Sequence, residues 1–163
     1  MHHENDAHSL RAAVLTMSDT RGKAEDKSGK LIHSFLEDAG FHVQDYSIIK
    51  DDRRVIEQQI SKWVEDPMIQ AVIMNGGTGV SPKDVTYEAV ASLLDKELHG
   101  YGELFRMLSY EEIGAKALFS RAIGGSIGST AVFALPGSSN AVQLGMEKLI
   151  IPSLPHLIGE LTK

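Results

Sequence analysis

Ala71-Val-Ile-Met74 is an apolar run that breaks at Asn75 into Gly76-Gly-Thr-Gly79, and a carboxylate follows at Asp84. An uninterrupted apolar run bounded by turn residues reads as a strand buried on both faces of a parallel sheet. The glycines let backbone N–H groups crowd around an anion where a Cβ would block the approach. A carboxylate just beyond them suits a divalent metal lying beside that anion. The segment therefore predicts an α/β fold with a phosphate-type site at a strand end.

The flanking pattern agrees. Residues 11–18 read as a first strand ending at Ser18-Asp19, followed by a polar loop from Thr20 to Lys27. Residues 28–39 carry Leu31, Ile32, Phe35 and Leu36 at helical spacing and stop at Gly40. Residues 41–49 form a second strand, and Asp51 or Asp52 caps a helix over 53–65 whose apolar face is Val55, Ile56, Ile60, Trp63 and Val64. Pro67 ends that helix, and residues 69–75 form the third strand. This β-α-β-α-β order predicts a parallel sheet with right-handed crossovers. Thr86 is expected to cap a helix through Leu94, Gly100-Tyr-Gly102 to interrupt the helical pattern, and residues 103–113 to resume it. Residues 122–136 read as two strands joined near Gly128-Ser129, with Gly124-Gly-Ser-Ile-Gly128 as hairpin turn, and a last helix runs from about Ser139 past Pro152 and Pro155.

A chain of 163 residues supports one domain, read as 10–163, with a frayed polar end over 1–9. A net charge of −6 disfavours nonspecific binding to nucleic acid or an anionic membrane, although Lys50, Arg53 and Arg54, or Lys116 and Arg121, can form a local basic patch. The absence of cysteine excludes disulfides and thiolate metal sites and fits a cytoplasmic location. No apolar stretch reaches the roughly 20 residues that span a bilayer.

Open α/β sheets bind ligands outside the carboxyl ends of their strands. Three loops are candidates for that edge: Ser18-Asp19, Gly76-Gly-Thr-Gly79, and Pro136-Gly-Ser-Ser139, the last of which opens a helix and offers its free N–H groups. Any one glycine turn is ordinarily just a turn; three at strand ends are a pattern. Asp19, Asp26, Asp51, Asp52 and Asp84 all follow strands or precede helices, and two of them converging on a phosphate require a cation, most simply magnesium. Asp26 by default is an exposed loop charge. Glu103 either joins the carboxylates or belongs to a helix start. There is no P-loop, no dinucleotide fingerprint after the first strand and no paired spacing among His33, His42, His99 and His156.

Taken in order, Thr16-Met-Ser-Asp19, Asp26-Lys-Ser-Gly29, Gly76-Gly-Thr-Gly79 with Asp84-Val-Thr86, Gly100-Tyr-Gly-Glu103, Ser120-Arg121 and Leu135-Pro-Gly-Ser138 resemble the MogA/MoaB family, which includes the gephyrin G domain. The resemblance covers about residues 10–160 and is strongest to the MoaB branch. It implies a three-layer α/β/α molybdopterin-binding fold with a mostly parallel central sheet, and an adenylyltransferase that moves AMP from ATP to molybdopterin with magnesium and releases pyrophosphate. By the family pattern Asp51 and Asp84 are the catalytic and metal-binding carboxylates. Gly76, Gly77, Thr78 and Gly79 cradle a phosphate, and Ser18, Asp19, Pro136, Gly137 and Ser138 line the pterin and its phosphate. Asp26 and Ser28 close a loop over the ligand. The chain departs from the pattern at Lys50 and Ser139, where many members carry proline. The resemblance further implies a homo-oligomer, a trimer or a hexamer, for which Leu104, Phe105, Met107, Leu108 and Phe119 offer apolar surface unless they pack in the core. A second function class is a protein of the same pathway that binds the pterin or a precursor without chemistry.

Overall fold

The computed structural model describes residues 10–163, so the expectation for residues 1–9 lies outside the described residues. The strands are β1 (Arg11–Met17), β2 (His42–Ile49), β3 (Ala71–Asn75), β4 (Lys96–Glu97), β5 (Ile123–Ile127) and β6 (Thr130–Leu135). They form one sheet in the order β2-β1-β3-β6-β5-β4. The first four in that order are parallel, and β5 and β4 add antiparallel pairings at one edge. The sheet is thus mostly parallel, as the alternating pattern requires.

The apolar runs are buried on both faces because successive residues point to opposite sides. Ala12 and Val14 of β1, Ala71 and Ile73 of β3, and Phe133 and Leu135 of β6 belong to one core. Ala13, Leu15, Met17, Val72, Met74, Val132 and Ala134 belong to the other. The first core is covered by α1 (Lys27–Asp38) through Ile32 and Leu36, by α4 (His99–Ile113) through Tyr101 and Phe105, and by the C-terminal helices. The second is covered by α2 (Arg53–Glu65) through Ile56, Ile60 and Trp63, and by α3 (Thr86–Leu93) through Ala89 and Val90. Helices on both faces of one sheet make three layers.

The C-terminal helix starts as α5 (Ser139–Gly145), widens to a π-type turn at Met146–Ile150 and continues as α6 (Ile151–Leu161). The wide turn directly precedes Pro152, which has no N–H to give the ladder. No helix among the described residues is long and apolar enough to cross a membrane.

Three local expectations are corrected. Gly100 and Gly102 do not break the helical pattern; both lie inside α4, which begins at His99. Gly102 packs where a Cβ would press on the Ala122 carbonyl and the Arg106 guanidinium, so close packing explains it better than a turn does. Gly124 and Gly125 are strand residues, not hairpin turn: a Cβ on Gly124 would strike the Phe133 ring, and one on Gly125 would strike the backbone of β4. The turn is confined to Gly128-Ser129. Thr86 is the first residue of α3 and not its cap; its hydroxyl donates to the Gly76 carbonyl at 2.9 Å, toward the glycine loop.

Candidate active site

The glycine loop leaves β3 through two residues in the left-handed region, Gly76 at φ 99° and Gly77 at φ 68°. Glycine occupies that region without strain, and here the surroundings also demand it. A Cβ on Gly76 would meet the Met17 carbonyl, and one on Gly77 would meet Thr86 Oγ1 and Asp51 Oδ1. The loop is pinned to its neighbour strand by Gly76 N–H donating to the Leu135 carbonyl at 2.9 Å, and Gly137 lies against the Gly76 backbone.

Gly77, Thr78, Gly79 and Asp84 form one wall of a cavity of about 330 Å³, and Pro136, Gly137 and Ser138 form another. The loops after β3 and β6 thus meet along one rim. Ser138 caps α5 by accepting from Ala141 N–H at 3.2 Å, which leaves its hydroxyl proton free to donate. The remaining wall comes from Phe105, Ser109, Ile113, Lys116, Phe119 and Ser120. None of these six was identified as a site residue from the sequence. The sequence carries one signal for them, the Ser120-Arg121 motif, and in the structure the Ser120 hydroxyl is buried without a hydrogen-bond partner.

Ser18 and Asp19 face a different space. With Arg21, Lys23, Lys50, Ile48, Ile49 and Val55 they line a cleft of about 570 Å³ between the ends of β1 and β2. Ile48, Ile49 and Val55 make its apolar part, and its charged lining mixes Arg21, Lys23 and Lys50 with Asp19 and Asp52. The expectation that Ser18 and Asp19 share the cavity of Pro136, Gly137 and Ser138 is therefore corrected: the structure gives them separate compartments.

Asp51 lines neither space but touches one residue of each, Asp19 of the cleft and Gly77 of the cavity. Asp52, not Asp51, caps α2, accepting from Arg54 and Val55 N–H at 3.0 and 3.2 Å. Asp51 is thereby free of capping duty. Its N–H donates to Asp19 Oδ1 at 3.1 Å, which fixes one carboxylate beside the other. Its own Oδ1 is buried, has no hydrogen-bond partner and faces Gly77. Burial pushes the Asp51 carboxyl above the usual range, the negative charges of Asp19 and Asp84 add to this, and Lys83 opposes them. Lys83 Nζ lies 3.8 Å from Asp19 Oδ2. Asp84 is held by its own loop, Oδ2 accepting from Ser81 N–H at 3.0 Å.

An orphaned buried carboxylate oxygen with two further carboxylates around it fits a hard divalent cation. Among the described residues no three His, Asp or Glu side chains converge tightly enough to cage a metal by themselves. Magnesium is ordinarily bound by one or two carboxylates plus water and substrate phosphates, so the donor set fits that ion and not a closed structural site.

Three expected ligand contacts, Asp26, Ser28 and Glu103, lie elsewhere. Asp26 has no exposed surface. Its carboxylate accepts from Thr16 Oγ1 at 2.6 Å, from Gly29 N–H at 3.0 Å and from the Tyr46 hydroxyl, so it caps α1 and ties β1 to β2. Burial and this carboxylate both raise the Tyr46 pKa, which keeps the phenol a donor. Ser28 donates to the Gly137 carbonyl at 2.7 Å and thereby holds the Pro136–Ser138 loop from behind. Neither residue closes over the cavity. Glu103 is an exposed residue of α4 that lines neither cleft and joins no carboxylate group, because the helix begins four residues earlier than the glycines suggested.

Residues 13–156 match the family described as "Probable molybdopterin binding domain". A Bacillus cereus protein named molybdenum cofactor biosynthesis protein B is 52% identical over 153 residues, covering 93% of this chain and 90% of that protein. The chain belongs to the MogA/MoaB family of molybdenum cofactor biosynthesis proteins. Solved MogA/MoaB structures superpose throughout. A crystal structure of a molybdenum cofactor biosynthesis protein B aligns with a TM-score of 0.91 at 51% identity, over 94% of this chain and 96% of that one. The Pyrococcus furiosus tungsten cofactor synthesizing protein MoaB aligns at 0.86 with 37% identity, covering 95% and 98%. A MogA structure aligns at 0.84 with 26% identity, covering 93% and 99%. The three-layer α/β/α fold is that of this family.

Proposed function

We propose that the protein is a magnesium-dependent molybdopterin adenylyltransferase that transfers AMP from ATP to molybdopterin and releases pyrophosphate. The observation that carries this reading is Asp51 Oδ1, buried and unpartnered, facing Gly77 of the cavity on a residue whose N–H bonds Asp19 of the cleft and which feels the charges of Asp19 and Asp84. One cleft suits a pterin phosphate, with backbone N–H groups of the glycine loop and the Ser138 hydroxyl as donors. The other suits a nucleotide, with Ile48, Ile49 and Val55 beneath a base and Arg21, Lys23 and Lys50 near phosphates.

In the reaction an oxygen of the pterin's terminal phosphate attacks the α-phosphorus of ATP. The new P–O bond forms as the bond to pyrophosphate breaks, and pyrophosphate carries away the electron pair. Little covalent work falls to the protein. Gly77 to Gly79 hold the attacking phosphate, Lys50 and Lys83 offset its repulsion from the triphosphate, and Asp51 and Asp84 hold the cation. Magnesium, when bound there, neutralises the phosphate oxygens and stabilises the leaving pyrophosphate.

Purified protein incubated with ATP, magnesium and molybdopterin is expected to yield adenylylated pterin and pyrophosphate in equal amounts. Protein that binds both ligands yet forms neither product overturns the proposal. The lack, among the described residues, of three converging metal-binding side chains supports one further reading, a protein of the same pathway that binds the pterin without chemistry. Pterin binding indifferent to ATP and magnesium would establish that reading instead.

A further inference from the structure

Arg121 comes from just before β5 and lines neither the cavity nor the cleft. It nevertheless holds the loop that carries Asp84 at three carbonyls, those of Thr78, Gly79 and Asp84, and is anchored on Glu88 of α3. Its Nε donates to the Gly79 carbonyl at 2.9 Å, and a terminal guanidinium nitrogen donates to the Asp84 carbonyl at 3.0 Å. Both terminal nitrogens also reach the Glu88 carboxylate, and the Arg121 backbone N–H donates to the Thr78 carbonyl at 2.9 Å. The guanidinium carbon sits 5.2 Å from the centre of the Tyr87 ring, which fixes the plane of the fork.

The held segment has little else to order it. Val80, Ser81, Pro82 and Lys83 are exposed and outside any helix or strand. Within the loop, Asp84 N–H donates to the Ser81 carbonyl at 2.9 Å and Ser81 N–H donates to Asp84 Oδ2 at 3.0 Å. That second bond sets the direction of the Asp84 carboxylate, so whatever fixes the Gly79 and Asp84 backbone also aims the side chain. A planar guanidinium can serve two carbonyls and both carboxylate oxygens at once, four hydrogen bonds in a fixed fork where an ammonium has three donors.

We propose that Arg121, held by Glu88, is a positioning residue that fixes the Gly79–Asp84 backbone and thereby aims the Asp84 carboxylate for cation binding. Its catalytic consequence rests on the adenylyltransferase reading; its structural consequence does not. Glu88 keeps the fork oriented, and the hydrogen bond from Arg121 holds its carboxyl below the usual range.

The test compares full-length Arg121→Gln, Arg121→Lys and Glu88→Gln with the parent by amide hydrogen exchange and by the magnesium concentration that half-saturates AMP transfer. In Arg121→Gln, exchange at Ser81 and Asp84 is expected to rise about tenfold or more while the β3 amides stay unchanged. Half-saturating magnesium is expected to rise about 10–100-fold, the usual consequence of losing a group that orients a metal ligand. Arg121→Lys should recover part of both effects, and Glu88→Gln should show a smaller change of the same sign. Unchanged exchange at Ser81, or a rise matched in β3, overturns the proposal, the latter because it reports a global loss of stability. Should the parent itself show no transfer with magnesium, the proposed reaction fails, and local exchange still decides the role of Arg121.

Discussion

Asp51 Oδ1 and Gly77 face each other across the crevice so closely that a Cβ on Gly77 would sit 2.9 Å from the carboxylate oxygen. The same Cβ would press on Thr86 Oγ1, whose hydrogen bond to the Gly76 carbonyl holds the loop. Gly77→Ala therefore adds steric conflict to a left-handed φ of 68°. The expected cost is about 1–3 kcal/mol, which lowers Tm by roughly 2–4 °C per kcal/mol for a chain of this size. Transfer activity should fall further than stability, because both Asp51 and the phosphate cradle are displaced. Thermal melts and steady-state rates on the same preparation check this; an unchanged Tm contradicts it.

Asp51→Asn should lose activity and gain stability. The folded protein raises the Asp51 pKa through burial and the charges of Asp19 and Asp84. A raised folded-state pKa means that ionising Asp51 costs the native state more than the unfolded chain, whose carboxyl titrates near ~3.9. Below that pH the carboxyl is neutral in both states and the penalty is absent. As pH rises through the folded-state pKa the penalty grows, and above it the penalty is constant. The Tm advantage of Asp51→Asn over the parent should therefore widen as pH rises from the carboxyl pKa of the unfolded chain to the raised pKa of the folded protein, and level off above it. Magnesium should raise the Tm of the parent and leave the variant nearly unmoved. Parallel Tm profiles across that range would refute the assignment.

Asp26 and Asp84 predict opposite phenotypes. Asp26→Ala strands the Thr16 hydroxyl, the Tyr46 hydroxyl and the Gly29 N–H inside the protein. Loss of a helix cap alone reaches about 2 kcal/mol, and orphaned buried donors add to it, so the variant should melt well below the parent. Asp84→Ala loses one hydrogen bond, to Ser81 N–H, and should cost only about 0.5–1.5 kcal/mol. Its kcat should nonetheless fall by about 10²–10³, the range seen when a group stabilising transition-state charge is removed. Equal losses of Tm in the two variants would show that Asp84, too, is a structural residue.

The parallel half of the fold was legible because Ala12 to Met17 and Ala71 to Asn75 are buried without a break, and such runs have few alternatives. The loops that end them were legible for the same reason: Gly76 and Gly77 adopt conformations that suit glycine. Glycines that serve packing inside an element carry no such mark. Gly102, Gly124 and Gly125 admit the Ala122 carbonyl, the Phe133 ring and the β4 backbone, and each of those neighbours lies outside the glycine's own element. The two-residue β4 exists only through its pairing with β5 and has no pattern of its own. Asp26 was misjudged because nothing local distinguishes a loop carboxylate from a buried cap; the distinction is made by Tyr46 and Thr16, 20 and 10 residues away. The choice between Asp51 and Asp52 had the same character. It is resolved by the N–H groups of Arg54 and Val55, which both select Asp52.

The outer face of α4 and the 3₁₀ segment after it, Gly114–Phe119, carries the largest test of assembly. Of the apolar residues singled out there, Phe105 is buried in the core and Leu108 is packed against it. Leu104, Met107 and Phe119 remain exposed, joined by Tyr110, Ile113 and Leu118, the last with 76% of its surface accessible. Scattered apolar residues on a surface mean little, whereas a run of six on one helix and its extension is more than a monomer usually leaves in water. We expect this face to pack against other copies of the chain in a trimer or a hexamer. Leu118→Glu should then reduce the mass in sedimentation toward that of a single chain, with little change in the Tm of the isolated fold, because the side chain contributes almost nothing to the core. A parent protein that sediments as a monomer at micromolar concentration would leave this face without the role assigned to it.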